Sequence, residues 1–313
     1  MAEHYITLFD GNFLPQGVCM LRSLARQDPA AQSWVVCVDE ACEDGLARLA
    51  LPNVNLVPLR EVESDALRAV KPGRSRVEYC WTLTPFTADV VFGRAPGASR
   101  VTYLDADLYF FRPPRVLLDE MDAAGKDAMI TEHAYDPRYD LSASNGRFCV
   151  QFMPFRNSPG ARKVLDWWQA RCLEWCFARV EDGRCGDQKY LDQWPKLFSG
   201  EVHILQHPEL TLAPWNAHMF ARRSGAALDP VFYHFQGLRL VRPGVVRLFA
   251  GNNPGAAARP LYRAYVKELA QVTALLRAHG LPVPLLPEPP EPMQWLRRLK
   301  RRAAGQVRYE AIG

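Results

Sequence analysis

The sequence predicts an α/β protein, and two observations carry that expectation. Short apolar runs that read as buried strands alternate with stretches whose apolar residues recur at helical spacing. The 313 residues are 48% hydrophobic and 23% charged, the proportions of a folded core, which exclude disordered, collagen-like and coiled-coil chains. In order along the chain, residues 5–9 (YITLF) read as a strand and 15–25 as a helix. Residues 34–38 (WVVCV) form a second strand, 43–50 a helix, and 54–59 a third strand. Thr84 and Pro85, a hydroxyl followed by proline, suit a helix entry running to about residue 92. Residues 101–104 (VTYL) are a strand that ends in acidic residues. This alternation implies a mostly parallel sheet with helices on both faces. Ligands of such sheets gather at the carboxyl ends of the strands, where Asp105 lies.

The second half is less regular. Strands are expected over 128–131 and 147–153. Ser158 and Pro159 cap a helix over 160–179, and a second helix covers 259–279 before Gly280 and Pro282 stop it. Six of the eleven residues 282–292 are proline, so that stretch reads as an extended tether. The expected organisation is a main domain over 1–253, a helix packed on or beside it over 254–280, and a Pro-rich linker with a basic tail over 281–313. The segment 293–309 interleaves Trp295, Leu296 and Leu299 with six basic residues, a pattern suited to peripheral contact with an anionic membrane surface.

Charge and cysteine usage narrow the classes further. A net charge of +4 is too mild to argue for nucleic acid, and no apolar run approaches the roughly 20 residues a spanning helix needs. The opening MAEHYITLFDGNF lacks the layout of a secretory signal. The eight cysteines are scattered through apolar segments and read as reduced. A cytoplasmic location is expected, if peripheral then at the inner face of a membrane.

Three segments carry candidate chemistry. In VTYLDADLYFF, Asp105 and Asp107 follow a strand, and two carboxylates at i and i+2 can turn toward one hard cation, Mg²⁺ or Mn²⁺. In EDGRCGDQKYLDQWP, Asp187 and Gln188 occupy a Gly-rich loop at a helix entry, where a carboxylate and an amide can face a bound sugar or simply cap the helix. In VFYHFQGLRLVRPG, the His234 imidazole can complete a divalent site, Gly237 lets backbone approach phosphate, and Arg239 and Arg242 can pair with diphosphate oxygens.

Over residues 5 to 242 the order of these motifs resembles the GT-A nucleotide-diphospho-sugar transferases, and most of all glycosyltransferase family 8, which includes glycogenin and bacterial lipopolysaccharide galactosyltransferases. YITLFDGNFLPQGVCMLRSL is similar to the family's first strand, nucleotide-contacting loop and first helix, YLDADLYFF to its Asp-x-Asp, SNGRFCVQFMPF to its Asn-x-Gly strand, GDQKYLDQW to its Gly-Asp-Gln entry, and HFQGLRLVRP to its His-Phe-x-Gly segment. The resemblance implies a GT-A, Rossmann-like mixed sheet. It implies that Phe9, Asp10 and Asn12 contact base and ribose, that Asp105, Asp107 and His234 hold Mn²⁺ or Mg²⁺, and that Ala106, Asn145, Gly237 and Arg239 line the donor. Asp187 and Gln188 would lie nearest the anomeric carbon. The implied reaction moves a sugar from a UDP-sugar to a glycan or lipid-linked acceptor, with retention. Two departures stand out. Leu240 replaces the lysine usually found six residues after the histidine, leaving Arg239 or Arg242 to substitute. Arg76 is the nearest basic residue to the one often carried before the metal strand. The LAPWN segment, 212–216, has no role assignable from its chemistry.

Two other readings stay open at this level. Haloacid-dehalogenase-type phosphatases also run an apolar strand into Asp-x-Asp, with Asp105 as nucleophile, and later carry a Gly-Asp followed by a second acid, matched by Asp187 and Asp192. A nucleotide- or glycan-binding module without activity would keep the same residues.

Overall fold

The structure, a computed structural model, describes residues 2–286 and 307–312. Its centre is a sheet that begins with three parallel strands, β1 (His4–Phe9), β2 (Gln32–Cys37) and β3 (Val54–Pro58), linked by the helices Leu14–Gln27 and Glu40–Leu49. The chain then returns through several helices to lay β4 (Arg100–Leu104) on the other side of β1, giving the order β3-β2-β1-β4. After the short β5 (Leu108–Phe110), the sheet is extended by β6 (Ala128–Glu132), β7 (Phe148–Cys149), β8 (Phe152–Arg156) and β9 (Val202–Ile204). β8 pairs antiparallel with both β4 and β6, β7 antiparallel with β6, and β9 parallel with β6. The sheet is therefore mixed and mostly parallel, with its order reversing between β1 and β4. That reversal opens a crevice at the carboxyl ends of those strands.

Residue choice explains the layers. Along β1, Tyr5 and Phe9 face one apolar core, while Ile6 and Leu8 face the other. β2 does the same with Val35 and Cys37 against Trp34 and Val36. Gly17 has no side chain because none fits: a Cβ there would lie 2.4 Å from the Phe9 ring. Asp39 starts the Glu40–Leu49 helix by accepting from the Cys42 amide, and Ser75 with Glu78 forms a full capping box on Arg76–Leu83.

Two smaller sheets complete the molecule. One has the order β10 (Thr211–Leu212), β11 (Phe232–His234), β5, with β11 antiparallel to β5. The other joins β12 (Arg239–Arg242), β13 (Val245–Ala250) and β14 (Val307–Ala311). The last residues of the expected basic tail, 307–309, thus run in a strand, and the remainder of 293–309 lies outside the described residues.

Several boundaries differ from expectation. The helix read over 160–179 is Pro159–Glu174. It stops because Trp175 is extended and the chain then turns tightly, with Glu181 bridged to Arg184 and Asp182 and Gly183 at positive φ. Thr84–Phe86 is a single 3-10 turn between two helices, Arg76–Leu83 and Thr87–Arg94, rather than the start of one. Among the described residues no helix is long and apolar enough to cross a membrane.

The helix Arg259–Ala278 packs on the first helix, Leu14–Gln27. Its buried Glu268 accepts from Arg22 Nε at 2.6 Å and pairs with Arg26 Nη2 at 2.9 Å, while Arg26 also donates to the Tyr109 hydroxyl on β5. Burial opposes ionisation, yet these two guanidinium groups hold the Glu268 carboxyl below its usual value of 4.5. A depressed folded value means this stabilisation is complete above about pH 4.5 and is lost as pH falls through the folded value. Glu268→Gln should cost about 1–2 kcal/mol at pH 7, because the arginines are partly solvated. Urea titrations should show the wild-type and variant stabilities converging in acid.

Candidate functional site

Register assembles the site. β5 and β11 pair so that Leu108 faces His234, and the Phe235 amide donates to the Asp107 carbonyl at 2.9 Å. On the other side, the Asp105 amide donates to the Gln151 carbonyl at 3.1 Å, continuing the β4–β8 ladder. The three groups predicted to share a cation therefore meet. His234 Nε2 lies 3.0 Å from Asp107 Oδ1 and 3.8 Å from Asp105 Oδ2. All three side chains are largely shielded from solvent.

Supporting bonds fix this arrangement. Gln151 Oε1 lies 2.9 Å from His234 Nδ1, and the Gln151 amide nitrogen donates to Thr131 Oγ1 at 3.2 Å. That leaves Nε2 as the imidazole nitrogen directed at the two carboxylates. The Tyr103 hydroxyl donates to Asp105 Oδ1 at 3.2 Å. Trp215 sets its ring edge-on to His234 at 5.4 Å and anchors itself through Nε1 to the His133 carbonyl. The LAPWN segment thus walls the imidazole. Cys149 offers a thiol that groups with Asp105 and His234, their ligand atoms all within 4.8 Å of one another.

The electrostatics describe a site short of positive charge. Burial, with a lesser push from Asp107, raises Asp105 to about 6. Burial, with Asp105 nearby, raises Asp187 to about 8. Burial opposes the charged forms of Asp107 and His234 too, but each holds the other charged, lowering the acid and raising the imidazole. Asp187 Oδ2 is buried with no hydrogen-bond partner among the described residues. The donor set of two carboxylates and an imidazole matches what Mn²⁺ or Mg²⁺ takes, and a divalent ion would relieve the stacked acids. The residues present fit the cation.

Around this centre lie most of the other expected residues. Arg239 Nη1 is 3.9 Å from Asp107 Oδ2, and its guanidinium sits 4.5 Å above the Phe13 ring. Arg242 is exposed at the far end of β12, so of the two arginines it is Arg239 that lies beside Asp107. Gly237 has φ +81° in the turn between β11 and β12, a conformation that suits glycine. Gln188 Nε2 donates to the Asn145 carbonyl at 3.0 Å, tying the Gly-Asp-Gln entry to the Asn145–Gly146 turn. Ala106 is buried between the two aspartates of the triplet.

At the ends of β1 and β2, Asp10 accepts from both nitrogens of Asn12, and Arg76 bridges Asp10 at 3.1 Å to Asp39 at 2.7 Å. Phe9 is a correction. Its ring is packed into the core against Gly17, with 3% exposure, because β1 alternation turns it inward; a base cannot reach it. Asp192, the second acid of the phosphatase pattern, holds the Arg147 amide and Lys189 instead of facing Asp105. Sequence reasoning passed over Gln151, Tyr103 and Cys149, and singled out the LAPWN segment without assigning Trp215 a role. Gln151 alone left a signal, as one amide within the apolar run FCVQFMPF.

Comparison with known proteins adds kinship and confirms the architecture. No family model matches the chain. It is 31% identical over 253 residues to the uncharacterized protein YfnF of Bacillus subtilis (strain 168), covering 77% of this chain and 83% of YfnF. The chain belongs to the YfnF family. A second member of that organism, the uncharacterized YfnD, is 29% identical over 247 residues, 76% of this chain and 78% of its own. Among solved structures, the apo glycosyltransferase GlyE of Streptococcus pneumoniae TIGR4 superposes with a TM-score of 0.54 at 16% identity, over 89% of this chain and 63% of GlyE. The galactosyltransferase LgtC, bound to donor and acceptor sugar analogs, gives 0.52 at 14% identity, over 88% of this chain and 99% of LgtC. This chain thus has the GT-A fold of glycosyltransferases.

Replacing Gln151 by leucine keeps the volume but frees the imidazole to rotate. Calorimetry should show Mn²⁺ affinity falling about 10–100-fold with the melting temperature little changed.

Proposed function

We propose that this chain is a metal-dependent glycosyltransferase that moves a sugar from a UDP-sugar to a glycan or lipid-linked acceptor with retention of configuration. The observation that carries the reading is the meeting of Asp105, Asp107 and His234 beside a buried, unpartnered Asp187 oxygen, at the carboxyl ends of β1 and β4. The GT-A fold and the order of the motifs support it.

Each residue then has a task. Asp105, Asp107 and His234 would hold the cation, which when bound supplies positive charge to the departing diphosphate. Arg239, packed between Phe13 and Asp107, would place a guanidinium on the same phosphates. Asp10 and Asn12, at the end of β1, would receive the nucleoside. Asp187 offers its free oxygen to a sugar hydroxyl, and its raised pKa makes it a hydrogen-bond donor at neutral pH before the cation enters. Gln188, held by Asn145, would line the same sugar. Trp215 would shield the imidazole from water.

The phosphatase reading loses its second acid to Arg147 and Lys189, and no covalent aspartyl-phosphate is expected on Asp105. The measurement that tests the proposal is release of UDP from UDP-sugars. Chelator should abolish it and Mn²⁺ restore it. Asp105→Asn and Asp107→Asn should each lower kcat by about 10³-fold or more while leaving circular dichroism unchanged. Full activity in either variant, or in chelator, would overturn the metal assignment.

A further inference from the structure

A cavity of about 470 Å³ lies between the start of the helix Arg259–Ala278, the paired strands β13 and β14, and the segment carrying Arg138. Four arginines line it: Arg138, Arg259, Arg263 and Arg308. Two of them are neutralised within the protein. Arg138 pairs with Asp136 at 2.6 Å, and Arg308 with Glu310 at 3.0 Å. Arg259 and Arg263 have no acidic or hydrogen-bonding partner among the described residues, although they stand one helical turn apart on the same wall. The helix continues from the 3-10 turn Ala256–Ala258, whose first residue also lines the cavity. Two exposed like charges left unpaired beside a concave wall are a recognition surface for an anion.

The cavity adjoins the candidate donor site. Tyr262, in its lining, packs its ring 5.1 Å from that of Phe235, the residue after His234. On another side, Asp136, which holds Arg138, donates its amide to the Trp215 carbonyl at 2.9 Å, and Trp215 touches His234. The cavity wall is thus joined to the elements that flank the imidazole through an aromatic contact on one side and a backbone hydrogen bond on the other. The volume suits one or two sugar residues.

From this geometry we infer that the cavity binds an acidic sugar, a phosphate- or carboxylate-bearing residue of the acceptor, through Arg259 and Arg263. The acceptor role rests on the glycosyltransferase reading above; the anion site itself does not. Such an acceptor would be steered by charge before it meets the donor, and neutral glycans would lack that hold.

Calorimetry in chelator tests the binding with three probes: glucose 6-phosphate, glucuronate and glucose. Saturable binding of at least one acid is expected, with none for glucose. Arg263→Gln should weaken that binding about tenfold, and the Arg259→Gln/Arg263→Gln pair about a hundredfold. Which acid binds tells phosphate from carboxylate. Absence of binding by both acids, equal binding by glucose, or an affinity unmoved by the substitutions would overturn the inference. UDP with Mn²⁺, titrated separately, reads the donor site. Acid binding without a UDP isotherm sinks the donor reading alone, and a UDP isotherm without acid binding sinks the cavity alone.

Discussion

One pairing governs the site: the antiparallel ladder between β5 and β11. Because it sets Leu108 against His234 and the Asp107 carbonyl against the Phe235 amide, it brings an imidazole from late in the chain onto carboxylates from its first half. A slip of one residue would turn His234 to the opposite face of the strand. The sheet around it resists such a slip. Phe110 and Phe232 pack edge to face, Phe232 stacks on Phe152 of β8, and Tyr109 is tied through Arg26 to Glu268. The apolar core and the buried Glu268 pair thus act on the site indirectly, by holding the strand that carries it.

The two edges of the central sheet carry opposite electrostatic logic. At the amino edge, charge is balanced in place: buried Arg100 donates to Glu3 and to Asp122. At the carboxyl edge, Asp10, Asp39, Asp105, Asp107 and Asp187 gather around few cations, with Arg76 and Arg239 reaching in. Burying acids in that excess costs folding free energy, which the fold tolerates where a ligand supplies the missing charge.

Much of this was readable before any coordinates. The strands β1 to β4 announced themselves as apolar runs because both faces of a parallel strand are buried, and the acidic triplet stood where such a strand ends. Asp105, Asp107 and His234 were nameable from residue type and order. Phe9 was misplaced because motif position says nothing of which face a strand side chain takes. β5 and β11, at three residues each, are too short to leave a periodic pattern, although their pairing is what joins the triplet to the histidine. Gln151 and Trp215 act through a hydrogen bond and a ring edge across distant segments. The amide within an apolar run marks Gln151 as unusual, but no local spacing names its partner, and nothing in LAPWN marks what Trp215 meets. The arginine-lined cavity needs β13, β14 and a helix start in one place, which no linear pattern reports.

The strand order β10-β11-β5 also bears on how the molecule is made. Domains fold as they emerge from the ribosome, amino end first. β5 is complete at residue 110, yet its partner is not synthesised until residue 234 and its Glu268 brace comes later still. A nascent chain therefore holds an exposed strand edge beside two uncompensated acids for much of its synthesis. A chain ending after β8 but before β11 would keep the β1–β4 sheet while leaving the β5 edge and its acids open.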